Sequence, residues 1–548
     1  MKTRVADRRA RSMVKRMTKA GPARAPFGRR ACAVSVALSF GCGSSSSSVP
    51  ERSPVASSGA AGEVACSALA AGSPACGDPC ADGVVVEADV TTNAVWDCPV
   101  YTLPAPVFVR GDALEPTRLV IAPGTVVKGR AGNLAEGRLP GALIVTRSGH
   151  LDARGTREAP IVFTSALPPG QRARGDWGGV VLLGRAPTNV PADYEGSGNR
   201  AGEMFIEGLP RSEATTYGAA RQSSGLDAGL PSAAGEAGDA GSLAPADPGL
   251  SDPEHDCGAL RFVRIEFAGF EVGDTNELNG LTVGACGRRT LLDHVQVHLG
   301  ADDGIEFFGG TTDLKHAVIT GANDDSLDWD QGWTGRVQFL AIRQLDGTDP
   351  GSESDSGFEG DGYADPEAAQ GEVSAPVMYN VTLLSSARSS RGIRLREGTR
   401  LVLHDAILAA PPGGPLDGLV DIGDAATADQ ITLGLTRINH SILDGAWPLR
   451  AQPDSLGTSF LAEDYFSVGA GSASNTTLGS GELSTLLPDA FGVDGVRWLP
   501  NRGSHASLDW VVPEATSDSF FDATATYRGA FDPSGDDWTS GWTSYPPR

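Results

Sequence analysis

Between residues 260 and 443 one short pattern of apolar and polar positions returns seven times. Each instance reads apolar, two variable places, small or apolar, variable, apolar: Leu260 to Ile265, Leu292 to Val297, Leu314 to Ile319, Val337 to Ile342, Met378 to Leu383, Leu403 to Leu408 and Ile438 to Leu443. His, Asn or Asp often fills the third place. The starts are spaced by 32, 22, 23, 41, 25 and 35 residues. Alternating apolar residues followed by Gly or Asp turns predict strands rather than helices. The shortest spacings match one coil of a right-handed parallel β-helix, and the longer ones the same coil with a loop inserted.

A second strand travels with the first: Gly304 to Phe307, Ser326 to Trp329, Gly357 to Glu359, Gly392 to Leu395 and Gly418 to Asp421. Two strands kept in phase over successive coils argue for a solenoid, because chance would not preserve both phases. Looser coils precede them at Arg118 to Lys128, Ala142 to Arg147, Ala159 to Ser165 and Trp177 to Leu183. The expected fold class is all-β, a right-handed parallel β-helix with an irregular N-terminal tether and a C-terminal cap. The expected boundaries are a signal peptide over 1–41, a Ser-rich tether over 42–65, a Cys-containing N-terminal cap over 66–100, the β-helix over 101–450 and a cap region over 451–548. Within the helix, 211–256 is rich in Ala, Gly, Ser and Pro and reads as a disordered or long-loop insertion.

The 548 residues carry 44 Lys+Arg against 68 Asp+Glu, a formal charge of −24. The first 30 residues hold 11 of the basic side chains and a single acidic one, so the remainder is more acidic still. Nucleic acid and anionic membrane surfaces are poor partners for such a body. No apolar run of 18 residues follows residue 50, which excludes a bundle of membrane-spanning helices.

The N-terminal basic stretch ends at Arg29 and Arg30 and leads into the apolar run Ala31 to Phe40, then Gly41, Cys42, Gly43 and five serines. Ser39-Phe40-Gly41-Cys42 resembles a bacterial lipoprotein signal. That resemblance implies lipidation at Cys42, stable anchoring by two or three acyl chains, and a place in the cell envelope, at the outer membrane or cell surface. Six further cysteines, Cys66, Cys76, Cys80, Cys98, Cys257 and Cys286, form an even set that reads as disulfides in an exported chain. Cys257 and Cys286 flank one predicted coil and are the expected bridge; the other four pair among themselves, in an order the sequence leaves open.

The candidate chemistry is acidic. Aligning coils on the second strand stacks Asp302, Asp303 and Glu306 over Asp324, Asp325 and Asp328, each pair 22 residues apart, with Asp355 and Glu359 in the next coil. Side chains one coil apart lie roughly 4.8 Å from one another, so these carboxylates repel and some pKa values rise unless a cation neutralises them. Ca²⁺ suits such a cluster, since it accepts several oxygens in flexible geometry. The metal candidates are Asp302, Asp303, Glu306, Asp324, Asp325, Asp328 and Asp355. The same side then turns basic at Arg391, Arg394 and Arg396.

Longer stretches carry a family resemblance. Pro123 to Gly129 (PGTVVKG), Gly175 to Gly184 (GDWGGVVLLG), Val263 to Gly269 (VRIEFAG), Asn276 to Leu281 (NELNGL), Asp302 to Gly310 (DDGIEFFGG) and Tyr527 to Phe531 (YRGAF) resemble a family of exported bacterial surface proteins and lipoproteins with a pectin-lyase-like parallel β-helix. The resemblance covers roughly residues 100 to 545 and implies a fold and an address, with no established activity. Polygalacturonases, on the same fold, use stacked aspartates followed by an Arg-Ile-Lys segment. Ala301 to Glu306, Asn323 to Ser326 and Gly392 to Leu395 echo that order, while Gly357 to Gly362 stands where that family has Gly-His-Gly.

Three readings follow. The stack is structural; or the exposed β-face binds an extracellular polysaccharide, with Trp329 and Trp333 as stacking platforms; or the chain cleaves polysaccharide, with Asp303, Glu306, Asp324, Asp325 and Arg394 as its catalytic candidates, an inverting pair needing carboxyls roughly 6.5 to 9.5 Å apart. The expected function is a surface-anchored lipoprotein acting as a non-catalytic glycan-binding or envelope component with a Ca²⁺-compatible acidic face. A polysaccharide-cleaving enzyme and a purely structural or adhesive protein are the alternatives. His294, His316 and His440 share the third repeat place and are expected to form a stacked ladder.

Overall fold

The computed structural model describes residues 80, 82–112, 115–219, 251–273, 276–345, 355–363, 371–415, 417–444, 449–451, 463–466, 474–479, 481–491, 497–507 and 518–547. The expected signal peptide, the tether and Cys42 lie outside them, as do Cys66 and Cys76. The unit Asp82–Arg548 is a right-handed parallel β-helix whose strands pair with their counterparts one coil away.

All seven repeats are strands: Gly258–Glu266, Leu291–His298, Asp313–Thr320, Arg336–Arg343 and Val377–Leu384, then the split pairs Val402–His404 with Ile407–Ala409 and Arg437–Asn439 with Ile442–Asp444. Successive strands pair in register, as Leu292 with Leu314 and Val295 with Ala317. Each is bent at the third repeat place, where Phe262, His294, His316, Phe339, Asn380, Asp405 and His440 have φ of 49 to 61°. Only a few L-residues tolerate that left-handed conformation, Asn, Asp and His best among them. The polar third residue is therefore a corner, and it turns one long strand onto two faces of the coil.

The second strands form a separate ten-stranded sheet that includes Leu281–Gly284, Ile305–Phe308, Leu327–Asp330, Ser356–Asp361, Arg391–Arg396 and Gly418–Ile422. Their period of two sends Leu281, Ile305, Leu327, Phe358, Ile393 and Val420 inward, all fully buried. The opposite row, Thr282, Glu306, Asp328, Glu359, Arg394 and Asp421, points outward in register.

Several boundaries move. The β-helix starts before residue 101, because Val84–Val85 pairs with Val100–Leu103 and Ala94–Trp96 with Thr117–Ile121. The flanks of the 211–256 insertion are packed: Thr216–Gly218 pairs antiparallel with Glu203–Phe205, and Tyr217 is buried in an apolar cluster with Ile206, Leu209 and Phe308. The C-terminal region is a lateral cover rather than an end plug. Leu486, Trp498, Phe531 and Trp542 share one apolar cluster with the coil residues Val318, Ala341, Leu384 and Ile407, and Gly529 N–H donates to the Asp405 carbonyl.

A disulfide joins Cys257 and Cys286 with 5.9 Å between their Cα atoms. Cys80 and Cys98 are disulfide-bonded as well. Trp177 is buried, and a Cβ on Gly129 would lie 2.5 Å from its indole, so glycine is what permits this corner to close.

Candidate functional site

The acidic residues occupy two adjoining rows on successive coils. In the turn row each side chain caps the coil that follows. Asp303 N–H donates to Asn279 Oδ1 at 3.2 Å, Asp325 N–H to Asp303 Oδ1 at 2.9 Å, and Ser356 N–H to Asp325 Oδ1 at 2.6 Å. These bonds satisfy turn amides that would otherwise be buried without partners. The adjoining strand row stacks Glu306, Asp328 and Glu359. Asn279 links the two rows by also donating from Nδ2 to Glu306.

The carboxylates are crowded and dry. Oxygens of Asp303, Glu306 and Asp328 lie within 4.8 Å of one another, as do those of Asp325, Asp328 and Glu359, of Asp302, Asp303 and Asp324, and of Asp324, Asp325 and Asp355. Asp303, Glu306, Asp325 and Glu359 are 2 to 7% exposed, and Asp302, Asp324 and Asp355 form a half-buried rim. Burial first, then the neighbouring carboxylates, pushes Asp303, Glu306, Asp325 and Asp328 well above the usual range. For Glu306 the largest contribution from a neighbouring charge comes from Glu207, brought over the sheet by the 185–219 segment.

Asp328 belongs to two of these triads. Its Oδ1 is buried with no hydrogen-bond partner among the described residues. An all-carboxylate donor set with an unsatisfied buried oxygen fits a hard divalent cation, which takes oxygen ligands.

The basic end closes the stack through ion pairs. Arg391 reaches Asp355 at 3.1 Å, Asp421 at 2.8 Å and Asp417 at 3.3 Å. Arg396 lies 2.6 Å from both Glu359 and Asp361, and Arg394 lies 3.5 Å from Glu359. Asn279, Glu207, Asp361 and Asp421 were not singled out from sequence. Asn279 and Asp421 carry the register signal, one coil from Asp303 and from Arg394; Glu207 carries none, because an insertion delivers it.

One sequence expectation is overturned. Trp329 and Trp333 cannot stack on sugars, since both are fully buried. Trp329 donates to Thr399 Oγ1 at 3.0 Å, Trp333 to the Thr312 carbonyl at 3.0 Å, and Trp333 stacks on Phe307 at 4.2 Å. The reason is the period of two: Trp329 shares the inward phase of Leu327. The catalytic candidates sit in the same stack. Asp303 and Asp325 are engaged by turn amides, Arg394 faces Glu359, and Glu306 has an oxygen within 4.8 Å of one on Asp303 and one on Asp328. Asp324 stands on the rim with Asp355.

A family model described as a pectate-lyase-like β-helix domain matches residues 88–205 and 236–474. No curated protein and no solved structure matches the chain. The chain belongs to the pectate-lyase-like β-helix family.

Proposed function

We propose that this member of the pectate-lyase-like β-helix family is a non-catalytic envelope component, anchored by a lipid on Cys42, that holds Ca²⁺ on its acidic stack and engages extracellular polysaccharide there. The observation that carries the reading is the position of Asp328, whose buried, unpartnered Oδ1 stands among carboxylates on adjacent coils. Asp303, Glu306, Asp328 and Asp325 would hold the ion, and Asp302, Asp324 and Asp355 lie towards solvent beside it. A bound Ca²⁺ would offset repulsion that protons otherwise relieve, and would offer sugar oxygens a cation on a face that is otherwise negative. The family's pectate-lyase description supports polysaccharide as the ligand class. The crowding of the carboxylates favours holding an ion over hydrolysis.

The test is a glycan array probed with the mature protein in millimolar Ca²⁺ and in chelator, beside Asp328→Asn. Expected is binding that needs Ca²⁺ and is lost in the variant. Binding indifferent to both would refute the reading. Cys42→Ala is expected to move the protein from membranes into the soluble fraction.

A further inference from the structure

A second cluster lies on another face, at the corner row of the coil. Asp293 and His294 are neighbours on one coil and His316 stands one coil on. His294 Nδ1 lies 2.9 Å and His316 Nδ1 2.8 Å from the same oxygen, Asp293 Oδ1. The two rings stack at 4.3 Å with an interplanar angle of 26°. Both histidines are fixed in the left-handed conformation, with φ of 57 and 51°, so the backbone itself aims them. Arg261 Nε sits 3.2 Å from the other carboxylate oxygen, Oδ2, which leaves Oδ1 as the point on which both imidazoles converge.

We propose that Asp293, His294 and His316 form a binding site for a first-row divalent metal ion of the Zn²⁺ type, stapling two adjacent coils. Three ligand atoms within 4.8 Å of one another, two imidazole nitrogens and one carboxylate oxygen, are the donor set that borderline cations prefer and Ca²⁺ does not. Two bonds of about 2.0 Å meeting between a right angle and the tetrahedral angle set their atoms about 2.8 to 3.3 Å apart. The two nitrogen–oxygen separations, 2.9 and 2.8 Å, need only a few tenths of an ångström of adjustment, and the two ligating nitrogens lie within 4.8 Å of each other. The ligands are reachable, with side chains 12 to 23% exposed. Trp538 and Trp542 stand edge-on to the two rings, with centroids 5.3 to 6.0 Å away. These indoles give a metal at this place an optical reporter.

The test is titration of untagged mature protein with Zn²⁺ by calorimetry, in excess Ca²⁺ so that oxygen-only sites are filled, with Ni²⁺ quenching of tryptophan fluorescence as a second readout. His294→Asn and His316→Asn are the probes, because Asn tolerates the left-handed corner; thermal melts check that both fold. Expected is one Zn²⁺ per chain, an affinity at least about 100-fold weaker in either variant, loss of the Ni²⁺ quench in both, and unchanged Zn²⁺ binding in Asp328→Asn. Absence of binding in the parent protein, or equal affinity in folded variants, would overturn the proposal.

Discussion

Replacing Asp328 by Asn should change stability with opposite signs in the presence and absence of Ca²⁺. In chelator near pH 7.5 the substitution removes one carboxylate from two crowded triads whose oxygens lie within 4.8 Å of one another. A like-charge pair at that distance costs about 3 kcal/mol at an effective dielectric near 20. Because Asp303, Glu306, Asp325 and Asp328 are all pushed up, retained protons already relieve part of that cost, and the net gain from Asp328→Asn is on the order of 1 to 2 kcal/mol. A chain of this size then melts a few degrees higher, at about 2 °C per kcal/mol. In millimolar Ca²⁺ the parent protein gains by mass action, about 2.7 kcal/mol when the ion is at 100 times its Kd. The variant loses a ligand and with it most of that gain.

The proton linkage has the same origin. A carboxyl whose folded pKa is raised contributes stability that is complete below its unfolded value, near 4, and is lost as pH rises through the folded value. In chelator the parent should therefore lose stability from pH 5 to pH 7, by about 1.4 kcal/mol per pH unit for each carboxyl that stays protonated in the fold. Ca²⁺ should flatten that slope. The assay is a set of melts over pH 4.5 to 8 in chelator and in Ca²⁺, for both proteins. An Asp328→Asn variant that melts lower than the parent in chelator at pH 7.5 would refute the reasoning, since it would mean that the carboxylate stabilises the fold without an ion.

Other expectations concern the scaffold. Reducing the Cys257–Cys286 disulfide, which spans 29 residues, should cost on the order of 3 kcal/mol, read as a lower melting temperature in reductant that Cys257→Ser with Cys286→Ser reproduces. Gly360→Ala would put a Cβ 2.2 to 2.3 Å from the Trp329 indole and should destabilise by at least about 2 kcal/mol; a neutral result would show that the tryptophan is not packed there. His404, buried against Tyr379 at 4.9 Å and held down to about 3 by burial, contributes stability that is present above its unfolded pKa and lost as pH falls from about 6.5. His404→Phe, which keeps the ring stack, should lessen the acid sensitivity of the melt by about 1.4 kcal/mol per pH unit below 6.

The repeat was legible because burial demands it: every coil must send the same phase inward, so Leu292, Leu314 and Val337 recur in step and their strands pair in register. The acidic rows were legible for the same reason, since a 22-residue coil puts Glu306 beside Asp328. Trp329 was misplaced although the signal was present, for Leu327 and Trp329 alternate with Asp328 and Asp330. An aromatic residue beside acidic ones reads as a sugar platform only when phase is ignored. The lateral course of the C-terminal region had no such signal. Its contacts with the coils run between residues more than a hundred positions apart, as from Asn380 to Tyr527 and from His298 to Pro546, and no periodicity announces them. The corner residues lie between these extremes. His, Asn and Asp at the third repeat place mark a positive φ, which the alternation of apolar residues alone does not reveal.

A solenoid makes its sites as rows, and this row changes sign along its length. From Glu306 through Asp328 to Glu359 it is acidic, then Arg394 is basic and Asp421 acidic again. Arg396 and Arg394 compensate Glu359, and Arg396 also holds Asp361. Among the described residues no Arg or Lys forms an ion pair with Asp303, Glu306, Asp325 or Asp328. Uncompensated charge is thus concentrated on the two coils that carry Asp303 with Glu306 and Asp325 with Asp328, bounded on one side by neutral Asn279 and Thr282 and on the other by the guanidinium groups. Repulsion spread evenly along the row would favour a diffuse counterion cloud, because no position would gain more than another from a bound cation. Repulsion confined between two compensated flanks favours one ion at one place. Asp328 is the residue shared by the two triads that contain a strand-row glutamate, so a single carboxylate there is expected to govern the response to cation, to chelator and to pH together.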